Sequence, residues 1–296
     1  MDKYKEIPLV SVLMTVYNRE KYIAEAIESV INSSYQNWEL IIVDDQSTDQ
    51  SVAIARKYEQ QDSRIKVYIN EKNLGDYPNR NKAASYAKGK YLKYLDSDDL
   101  IYPHGLAMMV AAMEKYPEAG IGLTYNSYLG ATPLPVLQTT EEAFINHFFK
   151  KGVLYIGPSG CIYRRQFFEH IGGFNLAFKV AADYEFNLRA ASQSPIVLFA
   201  RDLFWWRQHP GQEIINSNQN NEYIILNYCI HRHTLEQAIL PDYLKSAILE
   251  NNNILMGRRL LRLSPKLSLR ELRRILRETG FPKAYFFKCF RPTQKI

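Results

Sequence analysis

Three carboxylates stand close together in this sequence, because Asp96, Asp98 and Asp99 directly follow a short apolar segment at residues 91–95. A buried strand normally avoids carboxylates, since desolvating one costs roughly several kcal/mol unless it is paired. Oxygen ligands without a thiolate suit Mg²⁺ or Mn²⁺, and Mg²⁺ commonly takes one or two carboxylates together with phosphate oxygens. These residues therefore predict a cation site, with a turn of helix-capping aspartates as the simpler alternative.

The segments around this cluster predict where it lies. Five apolar segments of strand length alternate with segments of helical periodicity over the first 125 residues, and a second acidic pair, Asp44 and Asp45, ends the second of them. This alternation predicts an open, mostly parallel sheet covered by helices on both faces. Ligands of such sheets bind outside the carboxyl ends of the strands, so we expect both acidic clusters to converge on one crevice.

The placement of glycine excludes the usual phosphate-binding loops. Gly75 is the first glycine of the chain, so the turn after the first strand is neither the Gly-x-Gly-x-x-Gly turn of a dinucleotide fold nor a P-loop. If phosphates bind here, a metal ion must do what the backbone amides do in those folds.

The cysteines and the apolar segments of the sequence indicate the cellular compartment. The three cysteines, Cys161, Cys229 and Cys289, are widely spaced, which predicts neither a disulfide framework nor a zinc site and favours a reducing compartment. The first residues are polar and show no signal peptide, and no uncharged apolar run approaches the length of about 18 residues expected of a spanning helix. We therefore expect a cytoplasmic protein.

The net charge of +6 is unevenly distributed along the chain. From Met256 to the end there are 12 Lys/Arg and 2 Asp/Glu, so the remainder is mildly acidic. This segment contains a capping box at Ser268 to Glu271 that opens a helix with one apolar side and one arginine-rich side. An anionic membrane surface at the inner face of the membrane is the expected partner, ahead of a solvated helix face; no recognised nucleic-acid module accompanies the charge.

Several motifs, taken in order, resemble a family 2 glycosyltransferase of the GT-A fold over roughly two thirds of the chain. Each motif is weak alone, but the order and spacing are specific. They are the segments SVLMTVYN at residues 11–18, IVDDQSTD at 42–49, Gly75 with Arg80 and Asn81, LDSDD at 95–99, AADYE at 181–185 and RQH at 207–209.

The resemblance implies an α/β protein with a GT-A-type open, mostly parallel sheet flanked by helices, and a helical C-terminal extension. Residues 1–210 would form the glycosyltransferase domain, with a nucleotide-sugar half at 1–125 and an acceptor half at 126–210. Residues 211–296 would form the basic helical extension. Family members bind a nucleotide-sugar donor and invert the anomeric carbon.

Site roles are carried over by position in the motifs. Tyr17 would stack on uracil, Asp45 would accept its N–H, and Asp98 would ligate the Mg²⁺ or Mn²⁺ that bridges the diphosphate. Asp183 would be the general base, although Ala182 stands where many members have a second acidic residue. The residues expected to bind the nucleotide are Thr15, Tyr17, Asn18, Asp44, Asp45, Arg80, Asp96 and Ser97.

Several of these residues could instead have a purely structural role. Asp44 would otherwise be structural beneath the pocket, and Arg80 would be a surface charge on a helix. His209, expected to reach the metal or the diphosphate, would otherwise be a structural histidine. Asp99 is expected to cap the following helix, and Asp183 could itself be no more than a helix cap.

Together these features predict a metal-dependent inverting glycosyltransferase that moves a sugar from a nucleotide-sugar donor, expected to be a UDP-sugar, to a glycan or lipid-linked acceptor in surface polysaccharide synthesis. Two alternatives remain at this stage. One is a sugar-nucleotide nucleotidyltransferase, although such enzymes usually carry a glycine-rich signature near the N-terminus. The other is a non-catalytic nucleotide-sugar-binding protein, against which Asp45, Asp96, Asp98 and Asp183 argue.

Overall fold

The computed structural model describes residues 7–125, 133–209, 221–294 and 296. Its strands are β1 (Val10–Val16), β2 (Trp38–Asp44), β3 (Ile65–Ile69), β4 (Tyr91–Tyr94), β5 (Leu100–Ile101), β6 (Ile121–Tyr125), β7 (Val136–Gln138), β8 (Cys161–Arg164), β9 (Ile196–Ala200) and β10 (Phe204–Trp205). Its helices are α1 (Ile23–Ile31), α2 (Ser51–Gln61), α3 (Asp76–Ser85), α4 (Gly105–Lys115), α5 (Thr140–Ile145), α6 (Arg165–His170), α7 (Ala182–Gln193), α8 (Glu222–Gln237), α9 (Asp242–Leu263), α10 (Leu269–Thr279) and α11 (Tyr285–Lys288).

Eight strands form one mixed sheet in the order β3-β2-β1-β4-β8-β6-β9-β7. The first four are mutually parallel, and β8 then runs antiparallel to both β4 and β6. Val16 pairs with Asp44 and Leu13 pairs with Tyr94, so β1, β2 and β4 end along one edge. The predicted open, mostly parallel sheet is confirmed, and this edge carries both acidic clusters.

Strands β1, β2 and β4 are buried nearly throughout because apolar side chains on each face meet a separate cluster. Leu13, Ile41 and Tyr94 belong to the cluster on one face, whereas Val12 and Ile42 belong to the cluster on the other. A parallel strand covered on both faces has this near-continuous apolar character rather than a clean alternation.

Two helices have irregular ends. Helix α2 begins at Ser51, whose backbone N–H donates to the Asp49 carboxylate at 2.9 Å. Helix α5 continues into a π-helical turn, Asn146–Lys151. π-Helical turns are rare and frequently occur at functional sites, and this one carries the buried His147.

A two-stranded ribbon lies outside the main sheet. Leu100 pairs with Trp205 and Ile101 pairs with Phe204, antiparallel. The sequence predicted no strand at residues 100–101, since two residues carry no periodicity. This pairing brings the segment after β10 against the acidic cluster that precedes β5.

The C-terminal helices join the rest of the protein in two ways. Ile230 of α8 and Leu244 of α9 belong to the same apolar cluster as the acceptor-side strands. Ile275 of α10 belongs to a smaller cluster with Tyr228 and Leu260. Within the described ranges, no helix is both long and apolar enough to cross a bilayer. The predicted boundary at residues 210 and 211 lies outside the described residues, and the domain division stays a prediction.

Candidate active site

The carboxylate of Asp98 lies at the meeting point of three segments. Its Oδ2 atom accepts a hydrogen bond from Arg19 Nε at 3.0 Å and lies 2.9 Å from His209 Nε2. Both side chains of the Asp98–His209 pair are largely buried, and the His209 ring packs on Tyr22 with centroids 4.6 Å apart. Sequence reasoning found Asp98 and His209 but not Arg19, which supplies the positive charge beside them.

Asp99 does not cap the following helix, contrary to the sequence prediction. Helix α4 begins only at Gly105, and Asp99 Oδ1 instead accepts from the backbone N–H of Arg207 at 3.1 Å. Burial, together with the negative charge of Asp96, raises the pKa of Asp99 to about 7. Asp99 thus holds the segment that leads to His209.

Asp96 is bound from the side by a buried arginine. Arg80 donates from Nη1 to Asp96 Oδ1 and from Nε to Asp76 Oδ1, both at 2.7 Å. Arg80 is only 7% exposed, so it is not the surface charge that was the alternative for this residue. The backbone N–H of Asp96 donates to Ser159 Oγ at 3.0 Å, which ties the acidic loop to the acceptor half. Ser97, beside it, is buried.

A buried lysine lies beneath the acidic cluster. Lys93 Nζ donates to the carbonyl oxygens of Tyr94 and Ser159 at 2.5 and 2.6 Å. Burial lowers the pKa of Lys93 to about 8, partly offset by the charges of Asp96 and Asp99. Sequence reasoning did not identify Lys93. A single lysine in an apolar strand just before three carboxylates could have indicated it, because lysine is almost never fully buried unless it is paired.

The second acidic pair shapes the loop that leads into α3. Asp45 is buried, and its Oδ1 accepts from Asn70 Nδ2 and Leu74 N at 2.7 and 2.8 Å. Its Oδ2 accepts from Gly75 N at 2.8 Å. Gly75 has φ of +87°, a conformation that favours glycine, and it is the N-cap of α3. Asp45 therefore positions α3 in addition to any role toward a base.

The other residues predicted to bind the nucleotide lie at the end of β1 and beside it. Tyr17 is 49% exposed, and Thr15 is partly buried on β1. Asn18 has φ of +53° and its Oδ1 accepts from the backbone of Thr48 at 2.8 Å. Asp44 Oδ1 accepts from Ser47 N at 2.9 Å, whereas Oδ2 is buried and has no hydrogen-bond partner among the described residues.

Asp183 is the second residue of α7. The N-cap of that helix is Ala181, so Asp183 is not the cap. Its Oδ1 accepts from the backbone N–H of Tyr184 at 2.7 Å, and the Tyr77 hydroxyl donates to its carboxylate. Burial raises the pKa of Asp183 to about 6, and the hydrogen bonds from Tyr184 and Tyr77 partly oppose that rise.

Helix α3 connects the two acidic centres. Tyr77 and Arg80 are three positions apart, which places them on neighbouring turns of one helix face. Tyr77 contacts Asp183 while Arg80 contacts Asp96, and Asp45 holds the N-terminus of the helix. Sequence reasoning gave Tyr77 no role.

A buried chain of hydrogen bonds runs from Tyr184 into the C-terminal helices. Leu154 N donates to His147 Nδ1 at 3.1 Å, so the proton of His147 is on Nε2, which donates to the Tyr184 hydroxyl oxygen at 2.7 Å. Tyr184 then donates to His231 Nε2 at 2.6 Å, and His231 Nδ1 donates to Asn252 Oδ1 at 2.9 Å. We call these residues the histidine relay.

The tautomers of the histidine relay are consistent only if both rings are neutral. Burial lowers the pKa of His147 well below its ordinary value, and burial lowers the pKa of His231 to about 4. Sequence reasoning set His231 aside as a non-ligand and did not foresee its contact with Tyr184. The two histidines are far apart in the chain, so no spacing could have paired them.

Comparison with known proteins identifies the family. The sequence profile of Glycosyl transferase family 2 matches residues 11–172. The chain belongs to this family. The family is one of glycosyltransferases and not of nucleotidyltransferases. Asp183 and His209 lie beyond the matched residues, so their roles depend on geometry.

Individual relatives agree with this family. The putative glycosyltransferase EpsE of Bacillus subtilis is 40% identical over 139 residues, which are 46% of this chain and 50% of EpsE. WfgD of Escherichia coli, a UDP-Glc:alpha-D-GlcNAc-diphosphoundecaprenol beta-1,3-glucosyltransferase, is 39% identical over 128 residues, 43% of this chain and 47% of WfgD. This glycosyltransferase spans about half the length of these two relatives.

A solved structure agrees with the fold. S. aureus TarS 1-349 in complex with UDP-GlcNAc superposes with a TM-score of 0.73, covering 93% of this chain and 82% of that one at 23% identity. At this identity the likeness establishes the GT-A fold alone. The family 2 glycosyltransferase described here thus has the GT-A sheet with helices at its C-terminus.

Proposed function

We propose that this glycosyltransferase is a metal-dependent, inverting enzyme that transfers a sugar from a UDP-sugar to a glycan or lipid-linked acceptor in surface polysaccharide synthesis. The single observation that carries the proposal is the position of helix α3 between two acidic centres. Arg80 holds Asp96 on one side, and Tyr77 holds Asp183 on the other. An inverting transfer needs such a division, because the base and the leaving group act on opposite faces of the sugar.

The donor-side residues fit a divalent metal. Asp98 Oδ2 and His209 Nε2 are 2.9 Å apart; the carboxylate oxygen suits Mn²⁺ or Mg²⁺, and of these two the imidazole nitrogen favours the transition metal Mn²⁺. Among the described residues no group of three or more metal-ligand side chains is present, so the remaining ligands would come from the diphosphate and water. When bound, the metal would neutralise charge on the departing diphosphate.

The nucleotide would lie over the ends of β1 and β2. Tyr17 offers an exposed aromatic face for stacking on uracil, and Thr15 and Asn18 border it. The Asp45 oxygens already accept three hydrogen bonds, and Oδ2, with one of them, keeps a lone pair for the uracil N–H. Asp44 Oδ2, beside the same loop, is buried and has no hydrogen-bond partner in the described part of the chain, which supports a ligand near it.

Asp183 would accept the proton of the attacking acceptor hydroxyl. Its raised pKa of about 6 makes it a stronger base than an exposed aspartate while leaving it ionised at neutral pH. Tyr77 and the N–H of Tyr184 orient the carboxylate. The carboxylates of Asp96 and Asp98 serve the leaving-group side and are paired with cations there.

The proposed acceptor rests on the positive charge of the C-terminal tail and on the similarity to WfgD. WfgD acts on an acceptor with a lipid diphosphate, and the tail of this chain carries the basic excess that an anionic membrane surface attracts. Leu272, Ile275 and Leu276 of α10 pack against the smaller C-terminal cluster. Electrostatic attraction, and not insertion of that apolar face into the bilayer, would therefore bring the enzyme to the membrane.

Release of UDP tests the proposal. The full-length protein would be incubated with UDP-glucose, UDP-GlcNAc, UDP-galactose and GDP-mannose, each with Mn²⁺, Mg²⁺ or EDTA. We expect nucleotide release from one or more UDP-sugars that EDTA abolishes and metal restores. Release that is unaffected by EDTA would contradict metal dependence, and release from GDP-mannose alone would contradict the uracil assignment.

A further inference from the structure

A basic cavity lies beside the acceptor side of the enzyme, between helix α10 and the segments before α7 and at the start of α8. Its volume is about 1060 Å³, and it is lined by five cationic side chains, which we call the arginine groove: Lys179, Arg270, Arg273, Arg274 and Arg277. A cavity of this size is typical of small-ligand sites.

Local sequence explains why four arginines share one wall. The capping box of Ser268 and Glu271 begins α10, and Ile275 is buried on the side that packs against α8 and α9. Positions 270, 273, 274 and 277 are spaced by three, one and three residues, so they form one ridge on the helix. Burial of the apolar side thereby turns this ridge toward the cavity.

Carboxylates also line the arginine groove, but they leave it positive. Glu222 pairs with Lys179 at 2.6 Å, and Glu271 Oε2 accepts from Ser268 N and Oγ at 3.0 and 2.7 Å. Glu278 approaches Arg277 only to 3.9 Å. Five cations and three carboxylates line the groove, which leaves an excess of two positive charges; Glu222 offsets Lys179, itself one of the five cations.

The arginine groove includes the turn that leads to the proposed general base. Lys179 lies in the turn Leu176–Ala181, which leads directly into α7. Lys179 is four positions before Asp183 in the sequence. Helix α8 packs on that turn and on α7, and its first turn carries Glu222 in the groove wall. The next residue is Tyr223. Burial raises the pKa of Tyr223, and the negative charge of Asp183 raises it further, because the two residues are close together.

We propose that the arginine groove binds a phosphate or diphosphate group of the acceptor while the acceptor hydroxyl lies at Asp183. Guanidinium groups match phosphate oxygens with paired, charge-assisted hydrogen bonds, and several on one ridge suit an anion of more than one charge. A flat membrane surface would not need a concave site. The assignment of the ligand to the acceptor rests on the proposed function, whereas phosphate binding itself does not.

Calorimetry with inorganic pyrophosphate tests the groove. The full-length protein is used in EDTA at low salt, so that metal in the donor site does not contribute. Arg273→Glu/Arg277→Glu removes groove charge, and Arg262→Glu/Lys266→Glu is the matched control, because it makes the same charge change on exposed residues of the same extension outside the groove. We expect a loss of affinity of at least about tenfold for the first pair and under about twofold for the control.

Equal weakening by both pairs, or no binding of pyrophosphate by the unaltered protein, would overturn the proposal. If the glutamate pair fails to fold, Arg273→Gln/Arg277→Gln against Arg262→Gln/Lys266→Gln repeats the comparison with a smaller expected loss. Phosphatidic acid in phosphatidylcholine vesicles competes with pyrophosphate if the phosphate is presented on a lipid. Failure of the vesicles to compete, with groove-dependent pyrophosphate binding retained, assigns the phosphate to a soluble acceptor.

Binding of UDP with Mn²⁺ to the same variants separates the two proposals. If UDP binds and UDP-sugars are hydrolysed but the two charge pairs behave alike, only the groove assignment fails. If pyrophosphate binding is groove-dependent but no nucleotide binds, the donor assignment fails and the phosphate site stands.

Discussion

Asp98 and His209 are 111 positions apart in the chain, yet Asp98 Oδ2 and His209 Nε2 are 2.9 Å apart. The β5–β10 ribbon and the hydrogen bond from Arg207 N to Asp99 bring them together. Arg19 donates to the same oxygen and balances its charge. The pair is the centre of the proposed metal site.

Asp98→Asn should abolish the gain in UDP affinity that Mn²⁺ produces, because an amide is a much weaker ligand than a carboxylate for a hard cation. His209→Gln should reduce that gain by roughly tenfold to a hundredfold, the range for residues that support a metal. Titration calorimetry with UDP, with and without Mn²⁺, measures both effects. Glu236→Gln, an exposed carboxylate of α8, is the control. A native protein with equal UDP affinity in Mn²⁺ and in EDTA would contradict the metal site.

Asp183→Asn should slow sugar transfer by about 10²–10⁴-fold, the usual effect of losing a positioned base, with little change in UDP affinity. Because the pKa of Asp183 is raised from 3.8 to about 6, its ionisation destabilises the fold as pH rises through that interval. The asparagine variant should therefore unfold at no lower a temperature than the native protein at pH 8. Near-normal transfer by this variant would remove Asp183 from the mechanism.

Tyr77→Phe tests the same carboxylate through pH. The Tyr77 hydroxyl donates to ionised Asp183 and lowers its pKa, so removing the hydroxyl should raise that pKa further. In the native protein the rate of transfer should decrease as the pH is lowered past about 6. In the variant the midpoint of this decrease should lie about one pH unit higher. A pH profile of kcat/KM measures the shift. A uniform loss of rate at all pH values would show that Tyr77 has only a structural role.

His231→Gln tests the histidine relay. Burial lowers the pKa of His231 from 6.5 to about 4. Between about pH 4 and pH 6.5 the unfolded chain therefore binds a proton at His231, whereas the folded protein does not. The stability that neutral His231 allows is therefore present above about pH 6.5 and is lost as pH falls toward 4. His231→Gln should unfold more easily at pH 8 because Tyr184 loses an acceptor, and its stability should depend less on pH. Urea denaturation at pH 5 and pH 8 measures this; His233→Gln on the same helix is the control.

Tyr17→Ala should weaken UDP binding by roughly tenfold or more, as loss of a stacking aromatic typically does. The unaltered protein should bind UDP more tightly than GDP, because the pocket beside Tyr17 is assigned to uracil. Competition by UDP, GDP and dTDP against a fluorescent nucleotide measures both. Tyr243→Ala, which removes an exposed tyrosine of α9, should leave UDP binding unchanged. Tighter binding of GDP would mean that the base pocket is wrongly assigned.

The sequence by itself determined the sheet and the edge at which the chemistry occurs. Apolar segments such as residues 38–43 read as strands because both of their faces are buried, and the carboxylates that end them had to lie at the carboxyl edge. The capping box at Ser268 was also visible, because it is a local pattern of side chain and backbone. Motif order and spacing indicated the family, and the profile match confirmed it.

Only the tertiary structure decided which partners these residues have. The pairing of Asp98 with His209, the bridge from Arg80 to Asp96 and the relay from His147 through Tyr184 to His231 join distant segments. Sequence periodicity reports which side of an element is apolar, whereas these contacts depend on how separate elements pack. For the same reason, the sequence showed the basic tail only as a charged surface, whereas in the folded protein four of its arginines form one wall of a cavity that also includes Lys179, in the turn before α7.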